Sequence, residues 1–189
     1  MTDDAEPARL IYSAVAVANW FISRNQEVSG DMTHLKLQKM LFLAQGWHLA
    51  YFDFPLFEDP IEAWKYGPVV AAVYFALSSR PKSESITVPI EGYVVRGNAY
   101  SPLGTPEMIP LDDDTEDFMR SVWDRYSNES AWKLVGITHA KGSPWEIVAN
   151  SLGNIGEGDD TSWEGIGFNS VIPVELIKSY FKSYLPKNQ

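Results

Sequence analysis

THLKLQKMLFLAQGWHLAY, residues 33–51, is the stretch on which the reading of this chain turns. On a helix drawn through it, the polar positions His34, Gln38, Gln45 and His48 collapse onto one narrow stripe, and apolar residues cover most of the remaining circumference. A helix patterned this way is packed on several sides rather than along one face, so it is read as the central helix of a mainly α domain. Gly46 sits inside it, where glycine costs about 1 kcal/mol relative to alanine. Close approach of a neighbouring element is therefore expected at that position.

Working outward, a first helix is expected from Pro7, with Asp3, Asp4 and Glu6 at the positive end of its dipole. Leu10, Ile11, Ala14, Val17, Ala18, Phe21 and Ile22 recur in it at helical spacing. On the other side, FDFPLFEDPI (52–61) is too proline-rich to continue the central helix and reads as a turn or extended lead into EAWKYGPVV (62–70). Pro68 has a fixed φ and no N–H, which suits the first turn of a helix, with Gly67 as the flexible residue before it. A helix is thus predicted through VVAAVYFALSS, burying Val69, Val73, Phe75, Ala76 and Leu77 and stopping before Pro81. Trp64, Lys65 and Tyr66 then form its lead-in.

From Pro81 to Pro110 prolines and glycines interrupt two short β-prone runs, SITV and GYVVR, predicting a small β hairpin or an irregular excursion. Helical order returns in LDDDTEDFMRSVWDRYSN, with Phe118, Met119, Val122, Trp123 and Tyr126 on one face. Asp112, Asp113 and Asp114 are read as its N-terminal carboxylates, in preference to a metal site. Two short helices follow, the second capped by Ser143, begun by Pro144 and stopped by Gly153. Residues 153–168 read as a glycine-rich, acidic surface loop, and a last helix near 173–185 is expected to dock through Val174, Ile177, Tyr180, Phe181 and Tyr184. The whole is read as one compact helical domain over 1–189, with about six or seven helices and the small excursion at 81–110.

Composition narrows the function. The 189 residues are 45% hydrophobic, enough for a core. Fifteen Lys and Arg against 25 Asp and Glu give a net charge of -10, which argues against a broad phosphate-binding surface. The absence of cysteine removes disulfides, thiolate catalysis and cysteine-based zinc sites. An acidic N-terminus and the lack of an apolar run near the roughly 20 residues of a membrane span lead to the expectation of a cytoplasmic protein. His34 and His48 are too far apart along one helix, about 21 Å, to share a metal. The chain carries no H-E-x-x-H, no G-x-S-x-G and no P-loop. No cofactor, no metal and no enzymatic activity are therefore expected.

Taken in order, KLQKMLFLAQGWHLA, PLF, EAWKYGPVVAAVY and WDRYSNESAWKLVGITHAKGSPW resemble the Panacea domain, a family of antitoxin-associated, SocA-like and prophage-associated proteins. The resemblance spans about residues 9–150; the segment 81–110 has no matching motif. It implies a mostly helical antitoxin that neutralises a separately encoded toxin by binding it. The motif residues it carries over are Lys36, Leu37, Gln38 and Lys39, then Trp64, Tyr66, Gly67 and Pro68, then Thr138, His139 and Trp145. Two alternatives remain: an adaptor that delivers the toxin to a protease, and a phage-related regulator that binds nucleic acid. The partner is expected to be a basic toxin, because complementary fields speed encounter with an acidic chain.

Each candidate partner-binding residue has a structural reading beside the functional one. Trp64, Tyr66 and Trp145 are either interface anchors or core aromatics with their polar tips satisfied internally, the favoured reading. His139 reads as a hydrogen-bonded histidine at a helix end rather than a catalyst. Lys36 and Lys39 are expected to reach solvent along their stems. EAWKYGPVV is accordingly expected to be chiefly a corner supporting a binding face nearby.

Overall fold

The computed structural model describes residues 10–28, 30–96, 99–107, 110–152 and 170–186. Among them are seven helices and two small antiparallel sheets: α1 (Ala14–Glu27), α2 (His34–Phe52), β1 (Ile61–Trp64), β2 (Gly67–Val70), α3 (Ala71–Ala76), β3 (Glu91–Arg96), β4 (Ala99–Pro106), α4 (Asp113–Tyr126), α5 (Ala131–Thr138), α6 (Pro144–Ser151) and α7 (Val174–Lys182). The chain is mainly α, as its sequence implies.

Five helices start at a side-chain cap. Ser13, Thr33, Asp112, Ser130 and Ser143 each accept the backbone N–H three residues on, satisfying one of the donors that a helix start leaves free. Asp113, Asp114 and Glu116 fill the first turn of α4, where the helix dipole favours negative charge.

The core is built around α2, whose residues Leu37, Met40, Leu41, Phe42, Leu43 and Leu49 are fully or almost fully buried. α1 packs beside it through Phe21 and Ile22, and Phe21 stacks on Trp123 of α4. The Trp20 indole donates to Glu116 Oε2 at 2.6 Å. α7 crosses α2 at Gly46: a Cβ added there would collide with the Phe181 ring. That ring lies edge-on to Trp47, with centroids 5.1 Å apart. The crossing is fixed at its end by Asp53, the left-handed C-cap of α2. Its carboxylate takes Lys178 at 2.9 Å and also Lys182, and these bonds, Lys182 foremost, hold its pKa down to about 2.

Several expectations change. Gly67 and Pro68 do not open a helix. They begin β2, which pairs with β1 in the register Ile61↔Val70, Glu62↔Val69, Ala63↔Pro68 and Trp64↔Gly67 across the turn at Lys65 and Tyr66. The β-branched Val69 and Val70 suit a strand, Gly67 takes φ +107 at the turn exit, and the helix is delayed to Ala71. Residues 170–172 run antiparallel along the far edge of β1, joined by Ala63 N to Ser170 O and Ile172 N to Ile61 O. Phe75 is exposed rather than buried. Leu10 and Ile11 precede α1 and are exposed, because Ser13 caps the helix there; the start expected at Pro7 lies outside the described residues. In the excursion GYVVR pairs with 99–106 rather than with SITV, whose Ile86 instead donates its N–H to Met32 O. Val174 and Tyr184 are exposed while Ile177 and Phe181 carry the docking of α7. The loop expected at 153–168 lies outside the described residues.

Replacing Gly46 by alanine should destabilise the fold by about 1–3 kcal/mol through overpacking. Phe181→Ala alone should cost about 3–5 kcal/mol. The double variant, measured by urea unfolding, should cost less than the sum, because the shortened residue 181 makes room for the new methyl.

Candidate partner-binding site

The first turns of α2 carry four side chains with unequal surroundings. Gln38 is buried and treats β2 as a strand would: its Oε1 accepts the Val70 N–H at 2.7 Å and its Nε2 donates to Val70 O at 3.3 Å. Lys39, one helix position on, has no exposed surface and donates its Nζ to Pro68 O at 3.1 Å. Burial pushes its pKa down to about 7. Both expected snorkelling lysines are thus corrected: Lys39 is wholly enclosed, and Lys36 is buried with its Nζ on Ser127 O at 2.6 Å. Lys36 points to the C-terminal end of α4, away from the hairpin. The reason is that α2 is covered on more sides than a surface helix, so its long cationic stems end at carbonyls.

Gly67 lies where Lys39 and His139 converge. A Cβ at position 67 would stand 2.5 Å from Lys39 Nζ and 2.8 Å from His139 Nε2, and the φ of +107 is itself one that side chains rarely adopt. His139 is the C-cap of α5 and stacks flat on Trp145 with centroids 3.6 Å apart. Its pKa is pushed down to about 4, first by burial and then by the charge of Lys39, against a hydrogen bond to the Tyr66 backbone. The Trp145 indole donates to Trp64 O at 2.7 Å, tying α6 to the end of β1. Trp64 in turn donates to Glu62 Oε2 at 2.8 Å.

The structure therefore brings together Gln38, Lys39, Trp64, Tyr66, Gly67, Pro68, His139 and Trp145 and leaves Lys36 outside the group. Beside them opens a pocket of about 290 Å³. Its walls are the rings of Trp64, Tyr66, Tyr74 and Trp132, its apolar floor includes Leu35 and Val69, and His34, Gln38, Lys39 and Lys82 also line it. Trp64 and Tyr74 meet edge-on at 4.7 Å, Tyr66 and Trp132 at 6.2 Å. Trp132 is 66% exposed. Among the described residues no three His, Asp or Glu side chains converge as metal ligands would, and no helix is long and apolar enough to cross a membrane.

Tyr74, Lys82 and Trp132 escaped the sequence reading. The helix expected through this segment singled out Val69, Val73, Phe75, Ala76 and Leu77 and not Tyr74; in the structure α3 leaves β2 directly and sets Tyr74 edge-on against Trp64. For Trp132, the signal was a large aromatic just after the Ser130 cap, on the turn of α5 that stays exposed.

A family model described as Antitoxin SocA-like, Panacea domain, matches residues 37–146. That range runs from the first turn of α2 into α6 and holds every residue of the group around Gly67. Antitoxin SocA of Caulobacter vibrioides (strain NA1000 / CB15N) is 33% identical over 146 residues, covering 77% of this chain and 75% of that protein. No solved structure matches the chain.

The titration of Lys39 and His139 gives a signed expectation. From about pH 7 to 10.5 the unfolded chain holds a proton at Lys39 that the native state does not, so stability rises with pH across that window and is flat in this group below it. Lys39→Met should remove up to about 1.4 kcal/mol per pH unit of that slope, leaving the two urea-unfolding curves parallel below pH 7. His139 acts lower: its neutral form is native, so stability should fall as pH drops from 6.5 towards about 4.

Proposed function

We propose, from the premise that this chain belongs to the Antitoxin SocA-like, Panacea-domain family, that it is the antitoxin of a toxin–antitoxin pair and neutralises its cognate toxin by direct binding. The observation that carries this is the 33% identity to Antitoxin SocA over three quarters of both chains. The geometry agrees with a binding role. Trp132 stands exposed beside a pocket whose other aromatic walls are set by the hairpin, by α3 and by hydrogen bonds into α2 and α6, and aromatics held rigid before contact lose little entropy on binding.

In this reading the hairpin is both corner and wall: Trp64 is buried and structural, Trp132 is the accessible anchor. The net charge of -10 favours a basic toxin, whose approach the field accelerates. The chain performs no chemistry of its own.

A toxin gene is expected beside the gene for this chain; its expression alone should arrest growth, and co-expression of this chain should restore it, whereas failure to restore growth would overturn the antitoxin reading. With purified proteins, Trp132→Ala should weaken the complex by about 2 kcal/mol, roughly 30-fold, with an unchanged melting temperature. Trp64→Ala should instead lower the melting temperature. The reverse pattern would move the contact from Trp132 to the hairpin.

A further inference from the structure

The pocket is an electrostatic exception. The chain has ten more acidic than basic side chains, yet among the described residues no Asp or Glu lines this cavity, while His34, Lys39 and Lys82 all do. Two of the three are buried with hydrogen-bonding capacity unused. Among the described residues, His34, 5% exposed, has no partner for its Nε2, and Lys39 Nζ meets Pro68 O alone. Lys82 is exposed, with its Nζ 5.0 Å from the Tyr74 ring centroid and donating to the Tyr74 hydroxyl at 2.6 Å, so a positive charge stands beside an aromatic wall. The Glu62 carboxylate, nearby in β1, is engaged by the Trp64 indole.

Size limits the occupant. A cavity of about 290 Å³ equals roughly ten waters of liquid volume and falls just below the range, about 300–1,000 Å³, typical of ligand pockets. It holds one large side chain more readily than a cofactor. Four aromatic walls favour a flat apolar group, which can stack or meet them edge-on, and the Lys82 charge together with the N–H donors of His34 and Lys39 favours a carboxylate carried next to that group.

We infer that this pocket is a socket for an acidic-aromatic anchor on the toxin, an aromatic side chain flanked by a carboxylate. The inference rests on the antitoxin reading above and names the chemistry of its contact. The ring fills the space between Trp64, Tyr74 and Trp132, and the carboxylate faces Lys82 and the His34 edge. A basic toxin offers few such spots. The long-range field brings the partner in, and the socket fixes its register by rejecting the basic surface that surrounds the anchor.

The test uses the full chain, ¹⁵N-labelled at its indoles, titrated with three N-acetylated, C-amidated tripeptides: Glu-Phe-Glu, Lys-Phe-Lys and Glu-Ala-Glu. Glu-Phe-Glu should shift the Trp64 and Trp132 indole signals at least tenfold more tightly than Lys-Phe-Lys, and Glu-Ala-Glu should give no saturable shift. Lys82→Glu, a change at an exposed side chain, should reverse the charge preference. Equal or inverted preference in the unaltered chain, or shifts confined to other tryptophans, would overturn the socket. Growth rescue by the same chain, scored in parallel, separates the two claims: rescue without the peptide preference defeats the socket alone, and loss of rescue defeats the antitoxin reading beneath it.

Discussion

The structure depends on buried polar side chains of α2 standing in for missing sheet partners. Gln45 accepts the N–H groups of Leu56 and Phe57 at 2.9 and 3.2 Å and returns its own Nε2 to Phe57 O at 2.9 Å. Gln38 does the same for Val70, Lys39 serves Pro68 O, and the His48 ring is 2.9 Å from Phe54 O. The irregular stretch 54–57 and the free edge of β2 at 68–70 are thereby carried into the core with these backbone groups satisfied. An unmade bond at such a site costs about 1–3 kcal/mol, which is why a helix so apolar keeps these four residues.

That constraint reaches the site in a few steps. Gln38 and Lys39 hold β2 flat on α2, the turn at Lys65 and Tyr66 returns the chain to β1, and Trp145 ties β1 to α6. α3 starts at once from β2 and lays Tyr74 across Trp64. Gly67 is small because Lys39 and His139 already occupy the space beside it. The hairpin that carries Trp64 and Tyr66 is therefore positioned by core hydrogen bonds, and Tyr74 and Trp132 meet those rings edge-on.

Much of this was legible in the sequence wherever the physics is local. The carboxylates at the start of α4, the Ser143 cap, the breadth of the apolar face of α2 and the close approach at Gly46 all follow from residue type and spacing. What sequence could not supply was the partner: Phe181 lies 135 positions beyond Gly46, and its ring is what occupies the missing Cβ. The stripe of His34, Gln38, Gln45 and His48 was visible, but its burial was not, because its acceptors and donors come from segments that fold back onto it. Gly-Pro misled for a related reason. Pro68 needs no N–H partner in a helix or on β2, and the pairing with β1 and the Gln38 bond to Val70 decide for the strand. The pocket was invisible because Tyr74, Lys82 and Trp132 meet Trp64 only once that hairpin turns.

Amide hydrogen exchange at Leu56, Phe57 and Val70 tests the α2 arrangement most directly. In the unaltered chain these three amides should be protected to the level of the α2 core, and Gln45→Leu should release Leu56 and Phe57 by more than tenfold while Val70 keeps its protection. Exchange of the three at the rates of exposed loops in the unaltered chain would contradict it.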